Sequence, residues 1–150
     1  IVNHWQGHSK ETDWIIKHAC RTMLKQGRPD VLSLFGFASP IFIRGSGLRF
    51  EKKRVRIGGE TTFRASIHTS RAKLGKLRLE YVVHFIKSNG QPSPKVFQIS
   101  EREQSSNSIE VKKRHSFRDL STRKHFPGIH RVELRVNGVC KGEGSIDVFV

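Results

Sequence analysis

Along residues 12–26, TDWIIKHACRTMLKQ, apolar side chains recur at helical intervals. Ile15, Ile16, Ala19, Cys20, Met23 and Leu24 fall at i, i+1, i+4, i+5, i+8 and i+9. One stripe of that kind predicts a single amphipathic helix. Thr12 or Asp13 can cap its start, and Gly27 followed by Pro29 ends it. A shorter helix is predicted over Asp30–Phe35, DVLSLF, with Gly36 as its stop, and His4–Trp5 reads as the tail of an earlier helix.

From Pro40 onward the period changes to two. Phe63, Ala65 and Ile67 alternate with Arg64 and Ser66. Leu77, Leu79, Tyr81, Val83 and Phe85 share one face of KLRLEYVVHFIK. Ile109 and Val111 begin a further alternation, and Val132, Leu134 and Val136 alternate with Arg131, Glu133 and Arg135. Such alternation predicts antiparallel strands packed on one side only. Turn signals separate the runs at Gly58–Gly59, Leu74–Gly75–Lys76, Asn89–Gly90, Pro127–Gly128 and Asn137–Gly138. The last lies between two alternating runs and predicts a two-residue hairpin. About seven or eight strands in ~110 residues suggest a β-sandwich. In FPGIHRVELRV, Gly128, His130 and Val132 stand where immunoglobulin-like domains carry a Gly-x-Tyr-x-Cys entry to a late strand. His130 is therefore expected in the corner position of the Tyr, and Tyr81 or Phe85 as the core aromatic of the third strand. The predicted fold class is mainly β. A short α-helical N-terminal segment, 1–38, precedes an immunoglobulin-like antiparallel β-sandwich, 39–150.

Charge sharpens this division. The chain of 150 residues has 28 Lys and Arg against 13 Asp and Glu, net +15. Residues 1–38 hold five and three of these, net +2, which leaves 23 and 10, net +13, for residues 39–150. Solubility needs a net charge of only about 2–8, so the excess predicts an anionic partner for the sandwich, with phosphate as the leading chemistry. No apolar run approaches the ~18 residues of a membrane span. Two cysteines, Cys20 and Cys140, cannot build a disulfide framework, which predicts a reducing, cytoplasmic setting. The chain starts without Met and in what reads as mid-element, so it is expected to be a fragment of a longer protein.

TDWIIKHACRTMLKQGRPDVLSLFGF resembles the last helical repeat of the DNA alkylation repair family, the HEAT-like alkylpurine DNA glycosylases. LEYVVHFIKSNGQPSPKVFQI and HSFRDLSTRKHFPGIHRVELRVNG resemble the additional C-terminal domain of its AlkC-type branch. The resemblance implies a HEAT-like repeat in residues 1–38. It also implies a parent enzyme that hydrolyses the N-glycosidic bond of alkylated purines such as 3-methyladenine. This chain would then supply duplex DNA binding, as a monomer without cofactor, and would be inactive alone. The alternative is a non-catalytic basic immunoglobulin-like adaptor that binds protein or RNA.

The candidate contacts follow from the pattern. Opposite the stripe of the first helix lie Trp14, His18, Arg21 and Lys25, at i, i+4, i+7 and i+11. Cations there can neutralise phosphates while Trp packs on sugar or base, although a solvated face with Trp14 packed under a preceding repeat accounts for the same pattern. In the sandwich the candidates are Lys112, Lys113, Arg114, Arg123 and Lys124. Further basic runs stand at 52–54 and 71–78, and the latter is expected at the opposite end from 112–125. Glu11, Asp13 and Asp30 are the carboxylates available to stabilise an oxocarbenium-like sugar. Asp13 and Asp30 stand at helix starts, where carboxylates satisfy free N–H groups. The catalytic residues are thus unknown and expected upstream of residue 1. His4-x3-His8 has ligand-like spacing, but no Cys or carboxylate set completes a metal site around it.

Overall fold

The computed structural model describes Lys10, Glu11, Ile15, His18 and residues 28–150. Those first four residues are helical and exposed. Apart from Ile15 and His18, the helix expected over 12–26 lies outside the described residues, as does the expected tail at His4–Trp5. The second helix is present as α1, Pro29–Leu34. It closes where Gly36 adopts a φ of 83°. The Gly36 N–H donates to Ser33 O (3.2 Å) and the Phe37 N–H to Leu32 O (3.3 Å), a Schellman ending. Phe37 then folds back onto Val31 and Leu32 in a small separate cluster.

After a 3₁₀ turn at Pro40–Phe42 the chain is entirely strands: β1 Ile43–Gly45, β2 Arg49–Phe50, β3 Arg54–Arg56, β4 Glu60–Thr69, β5 Gly75–Ile86, β6 Pro92–Gln104, β7 Ser108–Ser116, β8 Gly128–Val136 and β9 Val139–Phe149. In one sheet β4 pairs with β1 and β2 on one flank and β7 on the other; the second sheet has the order β3-β9-β8-β5-β6. This is the immunoglobulin arrangement, with the first strand shared between sheets. Its early part, β1 and β2, pairs antiparallel with β4, and its late part, β3, pairs parallel with β9. The division of the first strand into β1, β2 and β3 accounts for nine strands where about seven or eight are expected. The two sheets also approach closely where β1 leads into β2, and this explains two glycines, because a Cβ on Gly45 or Gly142 would run into the backbone carbonyl of Lys141 or Ser46. Leu48, between β1 and β2, reaches across to the larger sheet, its N–H donating to Glu143 O at 3.2 Å.

The sandwich therefore has two ends. At the hairpin end β8 turns into β9 through Asn137 (φ 49°) and Gly138 (φ 83°), both left-handed as a type I′ turn requires. The β4–β5 loop and the entry from α1 lie at the same end. At the opposite end, here the loop end, are the β5–β6 turn, the β3–β4 turn and residues 117–127. The core is aliphatic towards the hairpin end, around Ile67, Leu77, Leu79 and Val136, and aromatic towards the loop end, around Phe63, Tyr81, Phe85 and Phe117. Both Tyr81 and Phe85 serve as core aromatics of β5, the strand equivalent to the third of an immunoglobulin sheet.

His130 occupies the corner. It is fully buried, and its Nε2–H donates to Phe126 O at 3.0 Å, four residues upstream. One expectation needs correction. β5 is packed on both sides, since Arg78, Glu80 and Val82 are buried along with Leu79, Tyr81 and Val83. It is flanked by β6 and β8, and its outward polar groups are neutralised in place, Arg78 meeting Glu80 at 3.4 Å and Glu101 at 3.1 Å. Alternation of residue type thus hides a strand buried on both faces when the polar members are paired ions.

Candidate nucleic-acid interface

Three charged surfaces cover the sandwich, and they differ in how much of their charge is neutralised. On the outer face of the five-stranded sheet it nearly all is. Glu133 on β8 meets Arg131 at 2.8 Å, Arg135 at 3.4 Å and His84 at 3.5 Å, and Arg131 also reaches Glu143 at 3.0 Å. Glu133, Cys140 and Glu143 are grouped closely enough to suggest metal ligands. Arginines already occupy both carboxylates, so the group reads as part of the ion-pair network.

The outer face of the smaller sheet is different. Register sets Arg49 of β2 directly opposite Arg64 of β4, and Arg64 opposite Lys112 of β7. Three cations thus form a row across the sheet. Arg114 stands two residues along β7, and Arg44, opposite His68, flanks the other side. Like charges directly opposite one another destabilise a sheet. Only looser ion pairs relieve the row, Arg64 reaching Glu51 at 3.5 Å and Glu110 at 3.8 Å, with Arg114 reaching Glu60 at 3.6 Å. Cations kept in register at a cost to the fold are what a polyanion surface requires.

The third surface is a pocket of about 490 Å³ at the loop end. It is built by the end of β5, the start of β6 and residues 122–126, within the two stretches that carry the family resemblance. Lys87, Lys95, Arg123 and Lys124 surround it, with Ser88, Ser93 and Thr122 between them and Ile86, Pro94 and Phe126 as apolar wall. Beneath lies an aromatic floor. Phe85 and Phe117 each pack against His115, His125 and His130, with ring centroids 4.8–6.0 Å apart. Tyr81 Oη is hydrogen-bonded to His115 Nδ1 at 2.9 Å. Burial pulls the His115 pKa down from 6.5 to about 4, with smaller repulsions from His125, Arg123 and His130. Asp119 shapes the wall by accepting the His125 backbone N–H at 2.8 Å, with His125 Nδ1 also 3.2 Å away. That backbone bond is the main reason its carboxyl titrates below the usual range.

The sequence-predicted residues are divided among these surfaces. Lys112 and Arg114 are on the smaller sheet's outer face. Lys113 is opposite Phe63, on the inward side of the edge strand, so the run 112–114 does not act as one patch. Arg123 and Lys124 border the pocket. His18 is helical and exposed, whereas Trp14, Arg21 and Lys25 lie outside the described residues. Of the acidic candidates, Glu11 is helical and exposed, Asp13 lies outside the described residues, and Asp30 is 2.9 Å from Arg28 in the first turn of α1. The run 71–78 is at the hairpin end, as expected, with the Arg71 guanidinium 3.5 Å from the Phe42 ring centroid. Arg49, Arg64, Lys87 and Lys95 are not marked out by the sequence alone. The first two need strand register to be seen as a row. The last two are brought together by the Asn89–Gly90 turn, a signal already present in the chain.

Fold and charge define a basic immunoglobulin-like domain preceded by helix. Residues 44–150 match the family described as "Uncharacterised protein YhaZ, C-terminal Ig-like domain", and the chain belongs to that family. It is 41% identical over 142 residues to the protein YhaZ of Bacillus subtilis (strain 168), covering 94% of this chain and 39% of that relative. The chain thus spans well under half the length of the curated relative it matches. Among solved structures it is similar to the Pseudomonas fluorescens alkylpurine DNA glycosylase AlkC bound to DNA containing an abasic site analog. The identity is 25% and the TM-score 0.83, over 99% of this chain and 43% of that one. A weaker likeness, to a β-glucosidase from Listeria innocua, reaches a TM-score of 0.53 at 13% identity and concerns the fold alone. Among the described residues no helix is long and apolar enough to cross a membrane.

Proposed function

We propose that this chain is the C-terminal part of a DNA alkylation repair glycosylase, a cytoplasmic monomer that excises alkylated purines such as 3-methyladenine. Here residues 39–150 grip duplex DNA and residues 1–38 complete a helical repeat. The observation that carries the reading is the row Arg49–Arg64–Lys112 across the smaller sheet, relieved only by the long ion pairs of Arg64 to Glu51 and Glu110. The likeness to a DNA-bound alkylpurine glycosylase over nearly the whole chain supports it. In this reading Lys112 and Arg114 contact the phosphate backbone together with Arg49 and Arg64, while Arg123, Lys124 and Lys113 contribute field. Trp14, His18, Arg21 and Lys25 extend the contact onto the helical part. Phosphate contacts position a protein on DNA without reading sequence, so this surface serves lesion search and grip, not base choice.

The test is the salt dependence of duplex binding. Each phosphate neutralised contributes a slope of ~0.9 in log K against log salt. Replacing Arg49, Arg64 and Lys112 together with Ala should flatten the slope by up to ~3 units, equally on unrelated duplex sequences. The triple Lys52→Ala, Lys53→Ala, Arg54→Ala removes the same charge from between the sheets' edges and should change it far less. Equal losses would mean diffuse attraction without a DNA face, and loss from the second triple alone would move the DNA to another surface.

A further inference from the structure

The duplex reading leaves the loop-end pocket unused, and its chemistry differs from that of the sheet face. Lys87, Lys95, Arg123 and Lys124 converge on one concavity. None of the four makes an ion pair with a carboxylate among the described residues. Asp119 is electrostatically coupled to Lys124 but is engaged by the His125 backbone N–H at 2.8 Å. Two of the cations are held by aromatic faces. The Arg123 guanidinium is 4.6 Å from the Phe85 centroid and 5.7 Å from that of Phe97, and Lys95 Nζ is 5.7 Å from Phe97. An aromatic face fixes a cation without cancelling its charge. The pocket therefore holds prearranged positive charge around a hollow that has an apolar wall at Phe126.

Shape narrows the anion. About 490 Å³ is a small-molecule volume, and a double helix is too wide to enter it. A single nucleotide at a strand end, or unstacked from its neighbours, can enter phosphate first and leave sugar and base against the apolar wall. We propose that this pocket is a mononucleotide site, with Lys87, Lys95, Arg123 and Lys124 around the phosphate and Phe126 against the sugar or base. The proposal rests on the nucleic-acid reading above and adds to it a second site, separate from the duplex face, for one unpaired nucleotide.

The test titrates the 150-residue chain by calorimetry with dAMP, deoxyadenosine and inorganic phosphate, and with a single-stranded octamer bearing either a 5′-phosphate or a 5′-hydroxyl. dAMP should bind at least about tenfold more tightly than either deoxyadenosine or inorganic phosphate, and the phosphorylated octamer should exceed its hydroxyl counterpart by a similar factor. Lys87→Ala with Lys95→Ala, both exposed and harmless to the core, should abolish these preferences. Lys52→Ala with Lys53→Ala should leave them intact. Equal binding of dAMP and deoxyadenosine overturns the proposal, as does a preference that survives Lys87→Ala with Lys95→Ala. Phosphate bound as tightly as dAMP overturns it too, since the wall at Phe126 would then contribute nothing. The salt slope on the Arg49–Arg64–Lys112 row is read separately, so failure of the duplex face and failure of the pocket remain distinguishable.

Discussion

His130 shows what one residue does for this sandwich. Its ring ties the loop before β8 to the strand through the bond to Phe126 O at 3.0 Å, while both Phe85 and Phe117 pack on it. His130→Ala removes a buried hydrogen bond and leaves a cavity among aromatics, and should cost roughly 1–3 kcal/mol in urea unfolding. An unchanged midpoint would mean that the corner carries no stability. His115 makes the same region sensitive to acid. Facing Tyr81, Arg123, His125 and His130, it binds its proton at about 4, against 6.5 in the unfolded chain. As pH falls from about 6.5 towards 4, the unfolded chain gains a proton that the folded one excludes. Stability should then drop by something on the order of 3 kcal/mol and level off below pH 4 as far as this group is concerned. His130, lowered chiefly by burial, acts in the same direction. Urea midpoints measured between pH 7 and 4 check this, and a flat series would contradict it.

The decisive element is the first strand in its divided form. β1 and β2 hold the smaller sheet and β3 the larger, and the link between β1 and β2 passes against β9 closely enough that Gly142 has no room for a methyl group. Gly142→Ala should therefore destabilise by about 1–3 kcal/mol, since the obstacle is the Ser46 backbone and not a movable side chain. Gly47→Ala provides the control. Its added Cβ would stand 3.7 Å from Glu143 O, an ordinary contact. Thermal melts of the two variants should separate clearly, and a shared melting temperature would show that this approach is loose. The same element brings Arg49 opposite Arg64, so the order of the sandwich and the charge row of its smaller face have one origin.

At the scale of the whole molecule, charge is sorted by surface. The larger sheet's outer face is ion-paired, the smaller sheet's face holds the cation row, and the loop end holds the pocket. Among the described residues the carboxylates are exposed, as Glu11 is, or engaged, as Asp30 is by Arg28, Asp119 by His125 and Glu133 by Arg131. None stands free in a hollow where a glycosidic bond can reach it. Residues 1–150 alone should accordingly release no 3-methyladenine from methylated DNA above the spontaneous rate, measured by chromatography of the released base. Release that Asp13→Asn abolishes would place the acid group within this chain.

Local rules were enough for much of this protein. Gly36 stops α1 because a left-handed residue is needed there, and Asn137–Gly138 makes the β8–β9 turn for the same reason. The alternation at Phe63, Ala65 and Ile67 marks an inward face because successive side chains on a strand point to opposite sides. The corner role of His130 was legible from its spacing to Gly128 and Val132. Register and burial were not, because they depend on which strands become neighbours. Alternation could not reveal that Arg78 and Glu80 are interior, since pairing between them makes burial tolerable. Three adjacent basic residues at 112–114 looked like one patch, yet a strand sends Lys113 to the opposite face. Arg49, Arg64 and Lys112 are distant along the chain and form a row only through pairing of β2, β4 and β7. Turn chemistry and periodicity act within a few residues and can be read from the sequence; a binding face assembled across three strands exists only once the sheet has closed.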